Sequence, residues 1–128
     1  MKIIAIEEHY SNPAYREKTG ANESRSPYIK WRSELMGHEI GKEVDDLDES
    51  RLRHMDAAGV DMQVLSFNAP IAHGFAPDEA IAMARSVNDQ LSAAIKRHPT
   101  RFSGFAALPM PAPDAAADEL ERCVKDEH

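Results

Sequence analysis

The residues with the clearest capacity for chemistry end the first apolar segment of the chain. Residues 2–9 read Lys-Ile-Ile-Ala-Ile-Glu-Glu-His, an apolar strand that runs into two carboxylates and an imidazole. Side chains alternate between faces along a strand, so Glu7 and His9 are predicted on one face and Glu8 on the other. Carboxylate and imidazole groups are ordinary ligands of divalent metals. The spacing predicts a metal-binding pair, but a charged, solvated strand end would give the same short pattern.

The composition argues against several classes of function. The chain has 128 residues and a formal net charge of −7, which is typical of one acidic domain and not of a nucleic-acid or membrane-surface protein. No apolar run approaches the roughly 20 residues needed to cross a bilayer, and the N-terminus lacks a signal-peptide pattern. The single cysteine, Cys123, excludes an internal disulfide. We therefore expect a cytoplasmic protein that binds neither nucleic acid nor membrane.

The elements that must position the Glu7 and His9 pair begin after a long irregular stretch. Residues 10–47 show no sustained period and contain several Pro and Gly residues together with Tyr and Trp. Because aromatic residues are scarce in disordered segments, we expect a partly ordered loop over the end of the first strand, with a disordered insertion as the alternative.

Helices and strands then alternate to the end of the chain. A helix is predicted from the N-cap Asp48 to the C-cap Gly59, a second after Pro77, and a third capped by Asp114. Strands are predicted between them at 60–67 and 102–108, and Gly104 allows a close backbone approach. The inner face of the last helix is predicted to carry Ala117, Leu120, Cys123 and Val124. This order predicts an α/β fold with a parallel sheet.

Further polar residues fall at the exits of strands or on helices. Asn68 and His73 follow the second strand, at the rim where βα-barrel sites are built, and are candidate substrate contacts. Solvated loop positions are the alternative reading. Arg85, Asn88 and Asp89 lie on the second predicted helix, where we interpret them as contacts with neighbouring elements and not as catalytic groups.

The whole chain, residues 1–128, is expected to be the N-terminal part of a larger barrel domain. It contains about three βα units, whereas a complete eight-fold barrel usually needs about 250 residues. The fold class predicted is therefore α/β, a partial βα barrel of the TIM type. The alternative is a small open α/β domain of three parallel strands. In either case, unpaired sheet edges favour association or a homo-oligomer.

Four segments of the chain together resemble one known family. They are residues 2–9 and the stretches Arg-His-Met-Asp-Ala-Ala-Gly-Val-Asp-Met-Gln-Val-Leu-Ser at 53–66, Ala-Arg-Ser-Val-Asn-Asp-Gln-Leu at 84–91 and His-Pro-Thr-Arg-Phe-Ser-Gly-Phe-Ala-Ala-Leu-Pro at 98–109. They are similar to the amidohydrolase-related, metal-dependent decarboxylases that act on γ-resorcylate, dihydroxybenzoates, 5-carboxyvanillate and aminocarboxymuconate semialdehyde. The resemblance covers nearly the whole chain and is loosest over 10–47.

The resemblance implies a distorted βα barrel and a divalent metal, zinc or manganese. The Glu-x-His pair of the family's first strand matches Glu7 and His9. The family's other ligands, a histidine and an aspartate, and a catalytic histidine fall on later strands, so no catalytic residue is assigned among residues 1–128. The implied activity is decarboxylation of a small, aromatic carboxylate. A metal-dependent hydrolase of the same superfamily and a non-catalytic barrel remnant are the alternatives.

Two ligands are fewer than the three or four protein ligands of ordinary zinc sites. We therefore expect the 128-residue chain by itself to hold metal weakly and to show little or no decarboxylase activity.

Overall fold

The computed structural model describes residues 1–19, 27–37, 40–67 and 75–126. The elements within these ranges, in chain order, are β1 (Ile4–Tyr10), α1 (Pro13–Thr19), α2 (Pro27–Met36), α3 (Ile40–Asp45), α4 (Glu49–Ala58), β2 (Met62–Phe67), α5 (Pro77–Arg97), β3 (Phe102–Gly104) and α6 (Pro113–Asp126).

The three strands form one parallel sheet in the order β1-β2-β3. Helices α4 and α5 connect them, which confirms the predicted alternation of strands and helices. Asp61 helps to set the start of the sheet, since its carboxylate accepts a hydrogen bond from the Ile3 backbone N–H at 2.7 Å.

Helices pack against one face of the sheet, which we call the covered face. It carries Tyr10, Leu65 and Phe102, each with at most 1% of its surface exposed. They belong to a core that includes Met55 of α4 and Val87 of α5. The Tyr10 hydroxyl donates to the Val87 carbonyl oxygen at 3.3 Å, and burial raises the pKa of Tyr10. Burial of these side chains attaches both helices to the sheet.

The opposite side of the sheet, which we call the open face, is uncovered among the described residues. Ile4 and Ile6 of β1 are 50% and 67% exposed there. Among the described residues, helices therefore cover one face of the sheet. The side chains of the open face are the ones that could meet a ligand or further chain.

Helix α4 begins and ends where its capping residues predict. Gly59 has φ 70°, the left-handed conformation that glycine adopts at a helix C-cap. Asp48 lies at the N-cap position, but its side chain makes no capping hydrogen bond. The carboxylate of Asp46 instead accepts from the backbone N–H groups of Asp48, at 2.8 Å, and Ser50, at 3.0 Å.

Strand β3 is shorter than predicted, because it ends at Gly104 and not at Leu108. At Gly104 the strand lies so close to α5 that an added Cβ would stand 2.4 Å from Leu91 Cδ2 and 2.9 Å from the Leu65 carbonyl oxygen. The predicted close approach at this glycine is confirmed. Beyond it, Phe105 still donates to the Leu65 carbonyl oxygen at 2.9 Å before the chain leaves the sheet.

The predicted inner face of α6 is wrong. Ala117 is exposed, as are Leu120 and Val124 at 46% and 54%, whereas the buried side chains are those of Ala116 and Glu119. Cys123 alone of the predicted set is partly buried. The predicted cap is also wrong, since Asp114 lies within the first turn of the helix. The side of α6 that contacts α5 carries the Glu119 carboxylate, which accepts from Asn88 and pairs with Arg85.

Residues 10–47 are more helical than their pattern indicates. The described parts contain α1, α2 and α3, of which α1 and α2 begin at the proline residues Pro13 and Pro27. Proline suits the first helical position because its missing N–H would have no partner there. Tyr15 of α1 is buried and packs edge-on against Phe67 at the end of β2. The segment therefore packs partly onto the carboxyl end of the sheet.

A membrane-crossing helix is absent from the described part of the chain, since no helix there combines the required length with the required apolar character.

Candidate metal site

Glu7 lies in a β-bulge of β1. Ala5 pairs with Gln63 and Glu8 with Leu65, so Ile6 and Glu7 together oppose the single residue Val64. Glu7 has φ 65°, a left-handed conformation that is uncommon for residues other than glycine. Bulges of this kind redirect side chains and are frequent beside functional sites.

The bulge changes how the alternation of side chains applies to β1. Glu8 pairs with the fully buried Leu65 and so belongs to the covered face, while His9 pairs with Ser66 on the open face. Val64 lies two residues before Ser66 and shares that open face. The bulge sets both Ile6 and Glu7 against Val64, and Ile6 and Glu7 are both exposed.

The imidazole of His9 is held from the neighbouring strand. Its Nδ1 lies 2.9 Å from Ser66 Oγ, within hydrogen-bond distance. The remaining ring nitrogen, Nε2, makes no hydrogen bond to any described residue. The donor chemistry therefore suits a divalent cation: an exposed carboxylate and an imidazole with one nitrogen engaged.

The backbone of His9 is held by Arg51 of α4. The guanidinium donates to the His9 carbonyl oxygen at 2.8 Å, to Asp46 O at 2.8 Å and to Gln63 Oε1 at 3.1 Å. Burial lowers the pKa of Arg51, and the carboxylates of Glu8 and Asp46 act in the opposite direction. Arg51 therefore ties the end of β1 to β2 and to the segment before α4.

Among the described residues no group of three or more His, Cys, Asp or Glu side chains could enclose a metal ion. Glu7 and His9 thus supply a pair of ligands at most within this part of the molecule. Weak metal binding by the chain alone stays a prediction.

The other candidate site residues, Asn68 and His73, lie outside the described residues. Their assignment as substrate contacts remains a prediction.

The polar residues of α5 connect elements, as predicted. The Asn88 side chain exchanges two hydrogen bonds with the backbone of Ala107, at 2.8 and 3.0 Å, and donates to Glu119 at 2.8 Å. Arg85 contacts Glu119 at 3.6 Å, and Asp89 pairs with Arg122 at 2.9 Å. These contacts hold the chain beyond β3 at the carboxyl edge of the sheet.

Glu119 is charged although only 3% of its side chain is exposed. Burial would raise the pKa of this carboxyl, but hydrogen bonds from Arg122 and Asn88 outweigh burial and lower it. The same hydrogen bond to Glu119 raises the pKa of Arg122.

Sequence reasoning missed Ser66 and Arg51 as parts of this site. The strand pattern over 60–67 includes Ser66, but its contact with His9 depends on how the two strands pair. No local signal identifies Arg51, whose partners are brought together only by the fold.

A parallel βα sheet with a carboxylate and an imidazole near the carboxyl end of its first strand is typical of metal-dependent βα-barrel enzymes. Residues 9–128 match the sequence model of the amidohydrolase family. The chain belongs to this family.

Relatives within the family are decarboxylases. The chain is 39% identical over 125 residues to a gamma-resorcylate decarboxylase of Rhizobium radiobacter, covering 96% of this chain and 35% of the relative. It is similar to the crystal structure of a dihydroxybenzoic acid decarboxylase from Polaromonas sp. with bound manganese and the inhibitor 2-nitroresorcinol, with TM-score 0.78, 38% identity and coverage of 98% and 36% of the two chains. A 2,6-dihydroxybenzoate decarboxylase structure from Rhizobium matches with TM-score 0.75 and 34% identity over 99% of this chain and 36% of that one.

The resemblance deduced from the four sequence segments is confirmed by these similarities. The chain spans about 35% of the length of the curated relatives it matches. The predicted fold class, a partial βα barrel with parallel strands, is also confirmed.

Proposed function

We propose that this chain supplies the first-strand half of the metal site of a decarboxylase that acts on a small aromatic carboxylate. Glu7 and His9 would be the two ligands, and manganese or zinc the metal. The observation that supports this most is the exposure of both side chains near the carboxyl end of β1, with His9 Nδ1 engaged by Ser66. The names of the similar proteins support the substrate class.

Each residue would have a distinct task in this site. Glu7 would provide negative charge and an oxygen donor, and His9 a neutral nitrogen donor. When bound, the cation would supply Lewis-acid orientation and charge stabilisation at the substrate carboxylate. The uncovered sheet face beside the pair carries Ile6 and Val64, whose apolar side chains suit the flat surface of an aromatic ring.

Metal binding tests the two ligands directly. We expect the 128-residue chain to bind Mn²⁺ weakly in calorimetric titration, and Glu7→Gln or His9→Ala to abolish the binding. Glu8→Gln and His54→Ala are matched controls, since Glu8 belongs to the covered face and His54 is exposed on α4. Equal binding by all four variants would refute the assignment of Glu7 and His9.

The proposed reaction is tested in a chimera that provides the remaining strands. The first 125 or so residues of the R. radiobacter gamma-resorcylate decarboxylase would be replaced by this chain, and CO₂ release from 2,6-dihydroxybenzoate followed with added Mn²⁺. We expect turnover in the chimera, its loss in Glu7→Gln and its retention in His54→Ala. The isolated chain should release little or no CO₂. A folded, inactive chimera would contradict the proposal, and addition of water to an amide or lactone instead would favour the hydrolase.

Four finer predictions belong with this proposal. Asn68 and His73 would contact the substrate from the connection that follows β2. The chain would associate with itself or with further strands through its sheet edges. The cytoplasmic location and the choice between zinc and manganese remain predictions.

A further inference from the structure

Ser66 lies beside the imidazole of His9, at hydrogen-bond distance from one of its two ring nitrogens. It is the direct neighbour of His9 across the β1–β2 pairing, and its Oγ lies 2.9 Å from His9 Nδ1. Two arrangements fit this distance. Either Nδ1–H donates to the hydroxyl oxygen, or the hydroxyl donates to an unprotonated Nδ1. Only the first leaves the Nε2 lone pair of a neutral imidazole available to a cation.

The second contact of Ser66 favours the first arrangement. A serine hydroxyl has one hydrogen, and Ser66 Oγ also lies 3.5 Å from the Glu8 carbonyl oxygen, to which it donates in a long hydrogen bond. A carbonyl oxygen can only accept, so the hydrogen of Ser66 directed there is not available to His9. With the hydroxyl hydrogen directed to Glu8, its oxygen would accept from His9, and the hydrogen of the imidazole would lie on Nδ1.

The backbone around His9 is held by contacts from two neighbouring elements. Arg51 donates to the His9 carbonyl oxygen at 2.8 Å, while the Glu8 carbonyl takes the Ser66 hydroxyl. The two successive carbonyl groups of β1 are therefore held by different partners, one from α4 and one from β2. These contacts fix the backbone from which the His9 side chain projects, and the ring itself is held by Ser66 Oγ.

We infer that Ser66 is a positioning residue that keeps neutral His9 in its Nδ1–H form and thereby presents Nε2 to a divalent cation. The inference rests on the proposed metal-binding role of His9. Histidine ligands of metals commonly donate their second N–H to a fixed acceptor, which sets the ring orientation and strengthens the ligating nitrogen. Here a serine hydroxyl would be that acceptor, and it would pass its own hydrogen on to the Glu8 carbonyl.

The hydrogen position can be measured without metal. Long-range ¹H–¹⁵N correlation spectra of the ¹⁵N-labelled chain at about pH 8, where free histidine is neutral, distinguish the two forms. His9→Ala identifies the His9 signals. We expect the Nδ1–H pattern for His9 in the wild type and in Ser66→Thr, which keeps a hydroxyl, and a shift toward Nε2–H in Ser66→Ala. Unchanged His54 signals would show that each variant is folded.

The result that overturns the inference is a wild-type His9 with its hydrogen on Nε2, or a form of His9 that Ser66→Ala leaves unchanged. Broadening of the His9 ring signals by added Mn²⁺ gives a second readout. The same degree of broadening should need on the order of 10-fold more Mn²⁺ in Ser66→Ala than in the wild type, and a near wild-type amount in Ser66→Thr. Absence of any Mn²⁺ broadening in the wild type would refute the metal site, whereas the metal-free spectra judge the role of Ser66 separately.

Discussion

Single residues determine how closely α5 approaches the sheet, and Gly104 is the clearest case. A Cβ there would stand 2.4 Å from Leu91 Cδ2 and 2.9 Å from the Leu65 carbonyl oxygen. The leucine side chain can move, but the carbonyl belongs to the central strand. We expect Gly104→Ala to lower the free energy of unfolding by about 3 kcal/mol, measured by urea denaturation.

Gly59→Ala is the matched control for that substitution. Gly59 has φ +70°, but nothing lies within 4 Å of an added Cβ. Its substitution should therefore cost only the strain of the left-handed conformation, about 1 kcal/mol. If the two variants were equally destabilised, steric contact would not be the reason that Gly104 is a glycine.

The ion pair between Asp48 and His98 should make stability depend on pH in the acid range. His98 Nε2 lies 2.7 Å from Asp48 Oδ1, and Arg97 Nε lies 3.3 Å from Oδ2. The hydrogen bond from His98 is the main cause of a lowered pKa for Asp48. A lowered pKa means that the stabilisation is complete above the unfolded pKa of about 3.9 and is lost as the pH falls through the folded value.

The corresponding measurement compares wild type with Asp48→Asn from pH 6 downward. The difference in unfolding free energy should be largest near pH 6 and should shrink below about pH 4. His98→Gln removes the main hydrogen-bond partner and should lessen the same dependence. A difference between wild type and Asp48→Asn that stays constant with pH would show that the pair does not stabilise the fold through this ionisation.

Residue-level prediction from the sequence succeeds where the physical cause is local. Gly59 follows a helical stretch and could be recognised as its cap, and Gly104 is a glycine inside an apolar strand. Arg51 and Ser66 act through partners that are 42 and 57 positions away, at the His9 carbonyl and the His9 ring respectively. Such contacts exist only after the strands have paired, so no window of sequence contains them.

At the scale of elements, a buried charge attaches α6 to α5. Glu119 accepts hydrogen bonds from Asn88 at 2.8 Å and from Arg122 at 2.6 and 2.8 Å. Glu119→Ala would leave these donors without their acceptor in a largely buried place. We expect a loss of about 2–3 kcal/mol in unfolding free energy, with Glu121→Ala as the control.

The control differs from Glu119 in its exposure and in having its ion-pair partner on its own helix. Glu121 also lies on α6 and pairs with Lys125, but its side chain is 63% exposed. Exposed pairs contribute little, so Glu121→Ala should change the unfolding free energy by less than about 0.5 kcal/mol. Comparable losses in the two variants would mean that the buried contact with α5 is not the reason that Glu119 stabilises the fold.

Element boundaries and faces were the least predictable part of the fold. The apolar residues Leu120 and Val124 favour one face of α6, but the hydrogen bonds of Glu119 select another. The bulge at Glu7 is likewise invisible in the pattern Ile-Glu-Glu-His, because an extra residue on one strand is defined only by its partner strand. Simple alternation correctly placed Glu8 and His9 on opposite faces. Glu7, in contrast, is set opposite Val64 together with Ile6 by the bulge.

At the scale of the whole molecule, the described sheet is a segment with two edges and one uncovered face. β1 and β3 form its edges, and each pairs only with β2 among the described residues. The order of parallel strands and connecting helices could be predicted because hydrophobic periodicity and helix caps are encoded locally. The residues that would cover the open face could not be predicted in this way, because they lie outside the three strands of the described sheet.

The uncovered surface near β3 should make the chain associate in solution. Leu120 and Val124 of α6 and Phe105 after β3 are 46%, 54% and 60% exposed, and they line one groove with Leu91 and Ile95. Contiguous exposed apolar side chains beside a free sheet edge favour association. We expect the apparent mass in sedimentation experiments to rise with concentration, and Val124→Glu to reduce that rise.

Lys125→Gln separates the effect of losing an apolar side chain of the groove from the effect of a change in net charge. It lowers the net charge by one, as Val124→Glu does, but it alters a lysine that is 69% exposed and pairs with Glu121. Sedimentation of Lys125→Gln should therefore match the wild type. If both variants reduced association equally, general charge repulsion would be responsible, and if neither did, the groove beside β3 would not be the surface that associates.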